Sequence, residues 1–148
     1  MPPDVTVPTV TSELQRGYTL LLPNPRGSSG YGRRFRQSLY GEWGVADVAD
    51  VDAAVRYLVS TRRADPGRVG IRGGSAGGYV VLAALVHSEL FHAGACYYGI
   101  SDLEMLVADT HKFEARYLDQ LIGPYPEARD IYRARSPLHH LEQISAAV

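Results

Sequence analysis

The chain has 148 residues, enough for one modest domain with a real core. At 45% hydrophobic and 21% charged, with a formal net charge of −1, it has a globular composition and no field suited to nucleic acid or a membrane surface. No apolar run approaches membrane-spanning length, and Met1-Pro2-Pro3-Asp4 has no leader-like pattern. The single Cys96 excludes an internal disulfide, reads as a small core residue, and fits a reducing, cytoplasmic setting.

Residues 1–8 are Pro-rich and expected to be irregular, followed by a short helix over 9–16 that Gly17 ends. Tyr18-Thr19-Leu20-Leu21-Leu22 reads as a buried strand stopped by Pro23 and Pro25. A Gly/Ser-rich loop over 24–32 leads to a short helix over 33–40. The clearest helix is 47–62, where Val48, Val51, Val55, Leu58 and Val59 recur at helical spacing while Asp50, Asp52 and Arg56 face elsewhere. After the turn Asp65-Pro66-Gly67 come a strand over 68–72, a helix over 76–88 and a strand over 93–100. A polar helical stretch over 102–121, the turn Gly123-Pro124-Tyr125-Pro126 and a helix over 127–135 follow, and 141–148 opens an apolar strand. Strands alternating with helices predict a parallel α/β layout. So few strands leave faces and edges uncovered, so 1–148 is expected to be a partial α/β domain, truncated at both ends.

Gly73-Gly74-Ser75-Ala76-Gly77 carries the most information. It reads G-x-S-x-G between a β-branched run and an apolar helix, the context of a nucleophile elbow. Such a turn strains the serine backbone by roughly 1–3 kcal/mol so that its hydroxyl projects clear of the sheet. Small residues are expected to be needed at positions 73, 74, 77 and 78, where bulk would meet the adjoining strand and helix. Ser75 is then the candidate nucleophile, and the Ala76 N–H, at a helix N-terminus, the candidate oxyanion donor. The plainer alternative is a Gly-rich turn in which Ser only caps a helix.

A serine nucleophile needs a base and an acid that orients it. His87 and His92 follow the elbow helix too closely to fold back over it and read as surface or helix-end residues. Asp109 and His111 are in a workable order but fall in the polar insertion. His139 and His140 are adjacent, point apart and lack a third ligand at metal-site spacing. Arg26 follows a strand end, where α/β ligands bind; it suits a substrate carbonyl or carboxylate, or else fixes the loop by pairing with an acid. Neither G-x-G-x-x-G nor G-K-[ST] occurs, so a nucleotide is not expected. Tyr97-Tyr98 most simply packs a strand.

Three stretches resemble the catalytic domain of the prolyl oligopeptidase family of serine peptidases, in particular its dipeptidyl-peptidase and acylaminoacyl-peptidase branches. They are Asn24-Pro25-Arg26-Gly27-Ser28-Ser29-Gly30-Tyr31-Gly32 with Tyr40-Gly41-Glu42-Trp43-Gly44 and the Asp47–Asp50 region; Asp65-Pro66-Gly67-Arg68-Val69 with the elbow through Tyr79; and Tyr132 to Leu138 with Ser136-Pro137. The likeness covers about 17–148. It implies an α/β-hydrolase fold, a Ser, Asp, His triad in that chain order, a peptide substrate, and no cofactor or metal. It also implies an upstream His-Gly-Gly-Pro-like motif, an N-terminal propeller, and a triad Asp and His beyond the last strand, none of which is found. The expectation is a serine peptidase piece with little activity alone; a carboxylic-ester hydrolase of the same fold and a non-catalytic truncated product are the alternatives.

Overall fold

The computed structural model describes residues 12–109 and 112–148, without the side chains of 112–116. We label the elements α1 (Gly32–Gln37), α2 (Ala46–Ser60), β1 (Gly70–Gly74), α3 (Ala76–His87), β2 (Ala93–Tyr97), α4 (Leu103–Asp109), α5 (Lys112–Leu121) and α6 (Arg129–Ala134), followed by a 3₁₀ helix, Pro137–Gln143. Residues 12–15 are also helical.

β1 and β2 pair in parallel, in register from Gly70↔Ala93 to Gly74↔Tyr97, with α3 as their crossover. The far edge of β2 takes up the chain again at Ala147, whose carbonyl accepts from the Gly94 N–H at 2.8 Å. α3 is apolar on nearly every side because it is covered on nearly every side: it packs on both strands, on α2 and on the 3₁₀ helix. Small residues let it lie close to the sheet. A Cβ on Gly94 would stand 2.5 Å from Leu85 Cδ1, and one on Gly78 would stand 2.7 Å from Gly99 Cα. Cys96 fits the same gap, its Sγ 3.5 Å from the Gly78 carbonyl. α2 buries Val48, Val51 and Val55, as their spacing predicts.

Two expected strands differ. Residues 18–22 form no ladder, and Leu22 is 72% exposed. A strand's stability lies in its neighbour, and no described strand lies beside this segment to accept its backbone groups. The expected strand over 141–148 is not formed: residues 141–143 finish the 3₁₀ helix, and only Ala147 bridges to β2.

Behind α3, the 3₁₀ helix and α4 are joined by buried Ser136. Its hydroxyl accepts the Leu103 N–H at 2.9 Å and donates to the Tyr132 carbonyl at 2.7 Å. Ser136→Ala strands a buried N–H and is expected to cost about 1–3 kcal/mol, read from the urea-unfolding midpoint. A loss below about 0.5 kcal/mol would show that this hydroxyl does not join the two segments.

Candidate active site

One residue joins β1 to α3. Ser75 has φ 54° and ψ −122°, a sparsely populated conformation for a non-glycine residue. Both sides of the bend are pinned. The Ser75 N–H donates to the Tyr97 carbonyl at 3.0 Å, carrying the ladder one residue past β1. Its carbonyl accepts the Tyr79 N–H at 3.0 Å, starting the helix. The residue is exposed, and its hydroxyl has no hydrogen-bond partner among the described residues. The Ala76 N–H, first in α3, is likewise without an acceptor among them, as the start of a helix leaves it.

The glycines around the serine are not equivalent. A Cβ on Gly73 would lie 2.5 Å from the Gly77 carbonyl oxygen, a clash with backbone. One on Gly74 would meet the Tyr98 ring, 2.9 Å from its hydroxyl oxygen. At Gly77 it would meet nothing within 4 Å, so the expected steric need at 77 is not found.

A cavity of about 520 Å³ opens beside the bend. Ser75, Ala76 and Gly77 form one side; Trp43, Val80, Ile100, Leu106, Leu118 and Leu121 give it an apolar lining; Arg26 and Asp47 also reach it. Asp47 is buried, which raises its pKa, although hydrogen bonds from backbone N–H groups, Gly44 first, work the other way. A second hollow of about 290 Å³, without Ser75 in its lining, is bounded by Val55 and Val59 of α2, by Pro66 and Val69 ahead of β1, and by Leu90.

Arg26 is committed to Asp50. Its Nε donates to Oδ1 and Oδ2 at 3.1 and 3.0 Å, Nη2 donates to Oδ1 at 2.9 Å, and its backbone N–H also reaches Oδ2, at 2.8 Å. Of its two readings, loop fixing is what the side chain does in this structure, at the cavity's edge. Burial pushes the Asp50 carboxyl up, but the hydrogen bonds and charge of Arg26 outweigh it and hold the group below the usual carboxylate range.

The described histidines stand elsewhere. His87 ends α3, about 18 Å from Ser75 at 1.5 Å per helical residue. His140 faces it with ring centroids 6.2 Å apart, a proximity that sequence spacing does not reveal, and His139 is its neighbour. His92 precedes β2, at the strand end opposite the bend. Asp109 ends α4 and is exposed; His111 lies outside the described residues. Among the described residues no metal-binding cluster forms and no helix is long and apolar enough to cross a membrane.

Tyr97 and Tyr98 do not pack the strand inward. Tyr98 is 84% exposed, takes φ 41° and lays its ring over Gly74. Its place between a strand end and Gly99 is the one sequence signal for this. Trp43 belongs to a family-like stretch, but that it and Ile100 line the cavity is not evident from sequence, because the cavity draws its walls from segments far apart in the chain.

The prolyl oligopeptidase family profile matches residues 6–148. The chain belongs to that family. It is 33% identical over 140 residues to dipeptidyl peptidase family member 6 of Caenorhabditis elegans, covering 90% of this chain and 19% of that protein. A puromycin-hydrolyzing peptidase of Mycobacterium tuberculosis superposes with a TM-score of 0.80 at 48% identity, over 83% of this chain and 19% of that one. The acylaminoacyl peptidase of Pyrococcus horikoshii gives a TM-score of 0.74 at 33% identity, over 83% and 20%. The chain thus spans about a fifth of these relatives' length. With these family peptidases it shares the α/β-hydrolase fold, here in part.

The glycine contacts predict an order of stability. Gly73→Ala should lose about 1–3 kcal/mol through overpacking, whereas Gly77→Ala should match wild type or gain up to about 1 kcal/mol of helix propensity. Thermal or urea unfolding of the two variants checks this; equal losses would refute the contact analysis.

A pH dependence follows from Asp50. Its folded pKa lies below the unfolded one, so its contribution is present above about pH 4 and lost as pH falls through the folded value. The stability difference between wild type and Asp50→Asn should therefore shrink between about pH 5 and pH 2, followed by urea midpoints. A difference that grows on acidification would reverse the sign.

Proposed function

We propose that this chain carries the nucleophile of a serine peptidase site. Ser75 attacks the carbonyl carbon of a peptide or aminoacyl amide, the Ala76 N–H receives the developing oxyanion, and the apolar cavity takes the side chain on the acyl side. The single observation that carries this reading is the pinned, exposed Ser75 bend. A strained backbone with no packing reward is accounted for by a hydroxyl that must be presented. One well-placed oxyanion donor is worth about 2.7–4 kcal/mol in other serine hydrolases. Because attack transfers the hydroxyl proton, a base must stand within hydrogen-bond reach. The described histidines gather at the other end of α3, so this role falls to a group outside the described residues. We assign Arg26 to holding the loop at the cavity's edge, since Asp50 already occupies its fork.

The cavity's apolar lining favours an aliphatic or aromatic acyl side chain. The relative described as puromycin-hydrolyzing supports testing puromycin, an aromatic aminoacyl amide, as a ligand. A fluorophosphonate probe tests the nucleophile. The expected result is slow labelling, about 10³-fold or more below an intact triad, that Ser75→Ala abolishes. Labelling that survives Ser75→Ala would overturn the assignment.

A further inference from the structure

Trp43 lines the same cavity as Ser75, and its carbonyl accepts a hydrogen bond from a residue more than ninety positions away. Trp43 sits in a turn with left-handed glycines on both sides, Gly41 at φ 73° and Gly44 at φ 83°. Such a turn has little intrinsic preference for one shape, so its anchors decide where the indole stands. On one side the Gly41 and Trp43 N–H groups donate to the Gln120 and Leu121 carbonyls at 2.8 and 3.3 Å. On the other, Arg135 Nη1 donates to the Gly41 and Trp43 carbonyls at 2.9 and 3.1 Å. Arg135 makes no ion pair among the described residues. Its own carbonyl accepts the Tyr79 hydroxyl at 3.0 Å, and the Tyr79 ring lies 4.5 Å from that of Trp43. The guanidinium, the tyrosine and the indole therefore close a ring of contacts on α3, the helix that Ser75 begins.

We propose that Arg135 is a positioning residue of the acyl cavity: its guanidinium clamps the Gly41–Gly44 turn so that Trp43 holds its place in the cavity lining. This rests on the acyl-side reading of the cavity given above. A cation that donates to two backbone carbonyls and forms no ion pair among the described residues suits a residue that fixes geometry.

Trp43 is the chain's only tryptophan, so its fluorescence reports this wall alone. The experiment compares wild type, Arg135→Lys, Arg135→Met and, as a control two residues earlier in the last turn of α6, Arg133→Met. Emission, acrylamide quenching and puromycin titration are followed on the full chain. For Arg135→Met we expect unchanged far-UV circular dichroism, emission at longer wavelength, stronger quenching and a puromycin Kd raised roughly tenfold, the usual scale for one lost hydrogen-bonding anchor. Arg135→Lys should recover part of both changes, and Arg133→Met should show neither. If Arg135→Met does not fold, Arg135→Lys and Tyr79→Phe decide, each expected to shift emission in the same direction by less. Puromycin binding to wild type with unchanged affinity in the folded Arg135 variants would overturn the proposal, whether or not Trp43 moves. No puromycin-dependent change in wild type at all would instead sink the acyl-cavity reading on which it stands.

Discussion

Two backbone hydrogen bonds on one residue hold this site. Ser75 gives its N–H to the end of β2 and its carbonyl to the first turn of α3, while occupying a conformation that an isolated chain visits rarely. Neither bond alone fixes the bend. Together they pin the junction of strand and helix, and Ser75 stands exposed at it. The neighbouring glycines answer to that junction: Gly73 must be small because the Gly77 backbone crosses it, and Gly78 because Gly99 does.

The second constraint is the crowding of α3. A helix apolar on every side has to be enclosed, and here the sheet, α2 and the 3₁₀ helix enclose it. This makes α3 a rigid reference from which both ends of the site are set. Its N-terminus presents the Ala76 amide. Tyr79, one turn on and fully buried, holds Trp43 and the Arg135 carbonyl. Burial raises the Tyr79 hydroxyl far above its usual pKa, so it remains a donor across the working pH range.

What the sequence made legible was whatever is decided within a few residues. The valine spacing of α2 and the Gly-flanked serine are of this kind, and both appear as read. The reading faltered where a distant partner decides. Tyr18 to Leu22 has strand composition but no described strand to pair with. Tyr97-Tyr98 has the composition of a packed strand end, yet the chain turns left-handed at Tyr98 and sends the ring over the elbow. The cavity walls were invisible for the same reason, since Trp43, Ile100 and Leu118 become neighbours only after folding. Gly77 shows the opposite error: a motif position that invites a steric explanation stands in open space.

The elbow is made inside a single strand–helix–strand unit, residues 70–97, whereas the clamp on Trp43 joins residues 94 positions apart. Contacts between nearby residues cost less loop-closure entropy than distant ones. If Ser75 and the cavity act as proposed, reactivity and selectivity rest on separate parts of this chain. Substitutions in the distant segments would then recut the cavity for a different side chain while the bend at Ser75 stays as it was.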